Sequence, residues 1–316
     1  MRTIGRVGIV SALALAFVSA PSIARAGPWT PEPGHGYLKL WVKEFCSCGL
    51  GYIEPDGTMQ PLGFYDEIFV SAYGEVGVVP GLAAWVHWPV MQTFLLEDPR
   101  PTIGGIQDRT MVGDPTLGLR WRFLRVERFV AALEAGVRFP FAPGGVQQSV
   151  YSTSPGNPRI GGLRIGTGVW DVPVSLAVGY AWSGFYLAAS GGWVARSDDY
   201  DHVLTWTAEG GGTFQGGLSM RVRVTGWHAL GNGDPALYHS SPSGIGSGTN
   251  YVGFAIEMDY PIAPDWWFGG TIEGGLFALS RQAAGPVLTL YVATRFSLVP
   301  EPTPAPAPTE EVDDAT

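Results

Sequence analysis

Beyond its first 26 residues the chain has no run of about 18 apolar residues, the length a membrane-spanning helix needs, although its mean hydropathy is slightly positive at +0.12. Charged residues are scarce, at 15%, and bases are scarcer than acids, 19 against 28. Setting aside Arg2, Arg6 and Arg25, which belong to an N-terminal leader, leaves 19 − 3 = 16 bases against 28 acids, a net charge of −12 that argues against nucleic acid as a partner. Cysteine is confined to Cys46 and Cys48. Two cysteines so close read as loop thiols or as a strained local disulfide, and a metal site would need a second ligand pair nearby. No cofactor motif is present: the glycine-rich run at 243–249 lacks the lysine and following helix of a phosphate loop.

What the chain does have is alternation. In GDPTLGLRWRFL, Leu117, Leu119, Trp121 and Phe123 alternate with Thr116, Gly118, Arg120 and Arg122. A strand with one apolar face and one face carrying arginines touches something apolar on one side and water on the other. The same two-sided pattern recurs at 36–45, 64–78, 82–91, 113–124, 128–140, 169–181, 185–196, 202–214, 218–229, 250–260, 265–278 and 286–298. The fold expected is all-β: a twelve-stranded antiparallel transmembrane β-barrel.

The ends of the chain fit that expectation. Arg2 and Arg6, the apolar run Val7–Val18 and the small-residue site Ala24-Arg25-Ala26 have the layout of a secretory signal, so the mature chain is expected to begin at Gly27, with Ala20 as the alternative cleavage point. The barrel is then expected over 27–300 and a periplasmic extension over 301–316. In EPTPAPAPTEEVDDAT proline takes every second position of the first half and there is no base, a composition that cannot pack a core.

Connection lengths alternate too. Short links are expected at 79–81, 125–127, 182–184, 215–217 and 261–264, and long ones at 46–63, 92–112, 141–168 and 230–249. Shorter links at 197–201 and 279–285 fall on the long side. Outer-membrane barrels have tight periplasmic turns and longer external loops, which puts both chain ends on the periplasmic side and the protein in the outer membrane, in contact with its lipid. Trp121, Phe123, Phe129, Tyr180, Phe185, Phe214, Tyr260, Trp266 and Phe296 then collect beside the short turns as an aromatic girdle. The three-residue link Gln215-Gly216-Gly217 sets a register. Pairing Phe214 with Leu218 and counting back puts Glu209 opposite Arg223.

The parity opposite the Leu- and Val-rich face points inward. It carries Lys39, Lys43, Glu75, Asp114, Arg120, Arg122, Glu134, Arg138, Asp171, Arg196, Glu209, Arg221, Arg223, Glu257, Asp259, Glu273 and Arg295. The same parity holds Tyr37, Trp41, Tyr73, Trp85, Tyr186, Tyr251 and Tyr291, with His87 between Trp85 and Pro89. Interleaved charges and rings line a water-filled path for small solutes, or else pair with one another and fill a narrow barrel. Arg120, Arg122, Arg221 and Arg223 are the candidates for an anionic group on a solute, Glu134 and Glu209 being their alternative partners. Arg138, Glu257, Glu273, Tyr73 and Tyr251 complete the expected path.

Four segments, YGEVGVVPGL (73–82), GDPTLGLRWRFL (113–124), EAGVRFPFAPGG (134–145) and IGTGVWDVPVSLAVGYAW (165–182), resemble the outer-membrane transporter family named for the MetA pathway of phenol degradation. Gly113-Asp114 and Gly166-Thr167-Gly168 stand where that family opens strands. Arg120-Trp121 replaces its Lys-Tyr pair, and Pro140-Phe-Ala-Pro-Gly144 its Pro-Thr-Gly. The resemblance covers residues 64–196 and implies a barrel that moves hydrophobic or aromatic compounds.

Two other chemistries carry less. His239-Ser240-Ser241 has the His-x-Ser spacing of a barrel phospholipase, but in a loop of Ser, Gly and Pro with no third group to orient it; no enzyme is expected. Asp198, Asp199, Asp201 and His202 crowd one external hairpin, where an acidic surface turn is expected rather than a calcium site. The oligomeric state and the solute stay open.

Overall fold

The computed structural model describes residues 27–47, 50–53, 58–60, 64–98, 105–142, 168–234, 247–280, 282–283 and 285–299. Among them no helix is long and apolar enough to cross a membrane. The expected leader 1–26 and tail 301–316 lie outside the described residues, as does His239-Ser240-Ser241.

Twelve strands form the wall: β1 (His35–Cys46), β2 (Phe64–Val79), β3 (Leu82–Asp98), β4 (Thr116–Val126), β5 (Phe129–Arg138), β6 (Asp171–Trp182), β7 (Phe185–Arg196), β8 (Val203–Thr213), β9 (Ser219–Ala229), β10 (Asn250–Ala263), β11 (Trp266–Ser280) and β12 (Val287–Ser297). Each pairs antiparallel with its sequence neighbour, and β12 returns to β1, Leu40 opposite Val292, so the sheet closes. Closure removes every wall edge, which is what lets a sheet sit in hydrocarbon with its backbone groups paired.

Parity decides the two faces. On β1 the lipid face presents Leu38, Leu40 and Val42, and on β4 Leu117, Leu119 and Trp121, all exposed to the surroundings, while the lysines and arginines between them turn inward. An outward charge at mid-bilayer costs about 2–4 kcal/mol, so this parity is the one hydrocarbon permits. The girdle is present: Trp121, Phe123, Phe129, Tyr180, Phe214, Tyr260, Trp266 and Phe296 are exposed at the short-turn end, and Phe185 is half-buried between Trp182 and Phe214 at ring distances of 6.1 Å.

The tight turns follow local chemistry. Phe214 N donates to the Leu218 carbonyl at 2.7 Å across Gln215-Gly216-Gly217, where both glycines adopt positive φ (84° and 87°). Counting up from there pairs Glu209 with Arg223, as the sequence predicts.

Three features depart from the sequence expectation. β3 does not stop at residue 91 but runs on to Asp98, still paired with Phe64–Phe69 of β2 on one edge and with a short strand at Gly105–Met111 on the other, so the expected loop 92–112 is largely strand. β4 starts at Thr116 rather than 113, because Gly113 N bonds the Pro89 carbonyl at 2.8 Å and the chain bulges there between the hairpin and the wall. The short strands Tyr52–Ile53, Met59–Gln60 and Gln282–Ala283 form a small separate sheet within expected loops. Cys46, at the end of β1, is disulfide-bonded; Cys48, the other cysteine of the chain, lies outside the described residues.

Candidate solute path through the lumen

The inward charges form two kinds of contact. In the periplasmic half they interlock. Arg120, on β4, donates to Glu134 of neighbouring β5 at 2.7 Å and reaches across β3 to Glu75 on β2 at 2.9 Å. The same Glu75 oxygen accepts from the Tyr73 hydroxyl at 2.8 Å, and that hydroxyl is 3.4 Å from a second Arg120 nitrogen. On the other side Glu257 of β10 takes Lys39 of β1 at 2.7 Å and Arg221 of β9 at 2.9 Å; Arg221 also bonds Asp259, and the Tyr291 hydroxyl at 3.1 Å. Lys39 and Glu257 are separated around the wall by β11 and β12, so this bond spans a chord of the lumen. Buried charges persist when they are paired and hydrogen-bonded, and Arg120, Arg221 and Glu257 each have two or more partners here.

Midway up the lumen the pairing is loose. Arg223 approaches Glu209 only to 3.8 Å, Glu209 being held instead by the Tyr186 hydroxyl at 2.5 Å. Lys43 and Glu273 are 3.4 Å apart. Around these groups lies a cavity of about 1000 Å³, bounded by Arg120, Glu134 and Gly27 below and by Lys43, Glu67 and Phe69 above. One side of it is a wall of small inward residues on β6 and β7: Ser175, Ala177, Ala188 and Ser190. The opposite sector, β1 to β3, is filled by rings, with Trp41 stacked on His87 at 5.3 Å and 10° and Tyr73 on Trp85 at 6.5 Å and 23°. Tyr251, beside the cavity, stacks on Trp227 at 6.4 Å and 2°.

One contributor was invisible in the sequence pattern. Residues 27–33 do not hang below the barrel but turn into it. The Trp29 ring packs edge-on against Tyr186 at 5.4 Å, its carbonyl accepts from Arg120 at 3.4 Å, and Pro28 is fully buried. Farther along, Pro33 bridges Gly77 at the end of β2, and Gly34 N bonds the Gly77 carbonyl at 2.9 Å. The segment has no period-two pattern, only Pro28, Pro31 and Pro33, so alternation could not find it.

An outer-membrane channel from Pseudomonas putida F1 superposes with a TM-score of 0.57 at 11% identity, covering 87% of this chain and 100% of that one. The chain has the fold of an outer-membrane channel. The NanC porin superposes with a TM-score of 0.50 at 8% identity, covering 81% of this chain and 98% of that one. No protein-family model and no curated protein matches the chain.

Within this channel fold the expected path residues separate. Arg120 and Arg221 are held by carboxylates in the periplasmic layer, with Glu134, Glu257 and Tyr73 as partners. Arg122 sits beside the periplasmic turn, its backbone N bonded to the Gly81 carbonyl at 2.7 Å. Arg138 is at the extracellular end, where it shares the buried Asp171 with Arg196 at 2.8 and 3.2 Å. Arg223, Glu209, Glu273 and Tyr251 line the cavity. The external acidic hairpin is a structural tie: Asp201 accepts from Gly233 N at 2.6 Å and its own N donates to Ser247 at 2.8 Å. Among the described residues no His, Cys, Asp and Glu group is placed to hold a metal.

Proposed function

We propose that the protein is an outer-membrane channel for small solutes that combine a ring or apolar body with a polar or anionic group. The observation that carries this is the luminal cavity, in which a small-residue wall leaves room beside the incompletely paired Arg223 and Lys43 while Phe69 and Tyr251 offer apolar faces. A guanidinium whose nearest carboxylate oxygen is at 3.8 Å retains donors for a solute carboxylate, and a ring beside it stacks or packs against the solute body. The likeness to channel and porin folds and the resemblance of residues 64–196 to the phenol-degradation transporter family support the same reading. The anion contact moves from the four arginines of the sequence expectation to Arg223, because Arg120 and Arg221 are each held by two carboxylates and Arg122 sits beside the short turn. Arg223→Gln is expected to lower uptake of an aromatic acid such as benzoate by about threefold in proteoliposomes while sparing a neutral aromatic, in keeping with the loss of one charge-assisted contact. Equal loss for both solutes, or none for either, counts against it.

The filled periplasmic layer favours a second reading, a structural barrel with a closed lumen. Wild-type protein that passes neither solute would select it.

A further inference from the structure

We propose that the extracellular end of the cavity is a cation subsite, in which the Glu67 carboxylate, set among phenylalanine rings, takes the protonated amine of an arylalkylamine. This rests on the channel reading above for access to the cavity, and deepens it by giving the path a group that accepts positive charge. Glu67 lies on β2 and borders the cavity together with Phe45 and Phe69. Three of the four acids around that cavity already have a cation: Glu134 has Arg120 at 2.7 Å, Glu273 has Lys43 at 3.4 Å and Glu209 has Arg223 at 3.8 Å. Glu67 is the fourth. One of its oxygens accepts from the Tyr65 hydroxyl at 2.9 Å, and among the described residues the other, buried in a side chain only 3% exposed, has no hydrogen-bond partner.

The carboxylate is held in place. Ser47 N donates to the Tyr65 carbonyl at 2.8 Å and Tyr65 N donates to the Ser47 hydroxyl at 3.1 Å, which fixes the tyrosine that occupies the first oxygen. Phe45 of β1 and Phe94 of β3 stand opposite Glu67 on the two neighbouring strands. The Phe45 ring packs on Tyr65 at 5.8 Å and the Phe69 ring on Phe94 at 5.9 Å, so the surroundings of the carboxylate are aromatic. A buried carboxylate is costly unless a charge or several donors meet it, and rings supply neither. They do attract cations to their faces. An organic ammonium satisfies both demands: its N–H groups reach the free oxygen while its charge lies against the rings. Its own ring then extends toward the small wall of β6 and β7. A calcium or magnesium ion is a poorer fit, because it takes six or more ligands, mainly oxygens, and no such group exists among the described residues.

The test is isothermal titration of wild type and Glu67→Gln, both as the full chain folded in a non-ionic detergent, with benzylammonium, benzyl alcohol and benzoate at neutral pH. Wild type is expected to bind benzylammonium at least about tenfold more tightly than benzyl alcohol, the value of one charge-assisted hydrogen bond. Glu67→Gln keeps the size of the side chain and an acceptor for Tyr65, and is expected to lose that tenfold while binding benzoate as before. Its folded gel mobility before boiling shows that it has assembled. Equal binding of benzylammonium and benzyl alcohol by wild type overturns the proposal, whether or not the variant folds. A folded Glu67→Gln barrel that keeps the full preference for benzylammonium overturns it as well. Osmotic swelling of wild-type proteoliposomes separates the two readings. Swelling with benzoate but no preference for the ammonium in the titration removes the subsite alone; a preference that Glu67→Gln abolishes, without swelling for any of the three, removes the channel reading alone.

Discussion

Arg221 and Arg223 stand one inward step apart on β9, yet the first is 12% exposed among Glu257, Asp259 and Tyr291 while the second is 35% exposed and 3.8 Å from Glu209. The local sequence around them, Met220-Arg-Val-Arg-Val224, gives both the same face and the same chemistry. What differs is what the opposite wall brings to that height. Level with Arg221, carboxylates and a tyrosine converge from β10 and β12. Level with Arg223, the neighbouring inward positions of β6 and β7 are serines and alanines. One layer of the lumen is therefore a polar core and the next an open cavity, built from one alternating pattern.

The contrast can be broken from either side. The largest effect is expected for Arg221→Ala, which strands Glu257 and Asp259 without their shared cation. Removing one partner from a buried ionic group costs about 3–5 kcal/mol, read as a drop in the denaturant midpoint of the detergent-folded barrel. Arg223→Ala should cost under about 1 kcal/mol in the same assay, in line with exposed pairs. Equal costs would erase the distinction between the layers. Next, Ser190→Trp puts a large ring on the small wall; solute flux should fall about tenfold while the unboiled protein keeps its folded gel mobility, because the path there is set by width. The smallest effect belongs to the Glu209–Arg223 pair. Reversing either charge alone should reduce assembly modestly, and reversing both should restore it to within about 0.5 kcal/mol of wild type. Equal damage from all three variants would argue that the two side chains do not sense each other.

The strand count, the inward and outward faces, the aromatic girdle and the Glu209–Arg223 register were legible in the sequence, because each depends on period-two alternation or on a turn three residues long. The contacts that give the lumen its character were not. Lys39 with Glu257 and Arg120 with Glu75 join strands that do not pair, and which heights meet across a barrel depends on strand tilt and stagger, quantities that alternation does not encode. For the same reason Arg120 and Arg223 looked equivalent beforehand. The strand extension to Asp98 was hidden because Phe94, Leu95 and Leu96 run together and break the apolar alternation. The segment at 27–33 carries no periodicity at all, and only its contacts with Gly179, Tyr186 and Arg120 reveal where it goes.

The central claim, that a usable path runs through this barrel, is tested most directly by osmotic swelling of proteoliposomes holding the wild-type full chain, with benzoate, a neutral aromatic alcohol and a disaccharide as solutes. The cavity and its loosely paired cations predict swelling with both aromatics, faster for benzoate, and slower swelling with the disaccharide. No swelling above protein-free vesicles with any of the three would contradict the account and leave a barrel whose lumen is closed throughout.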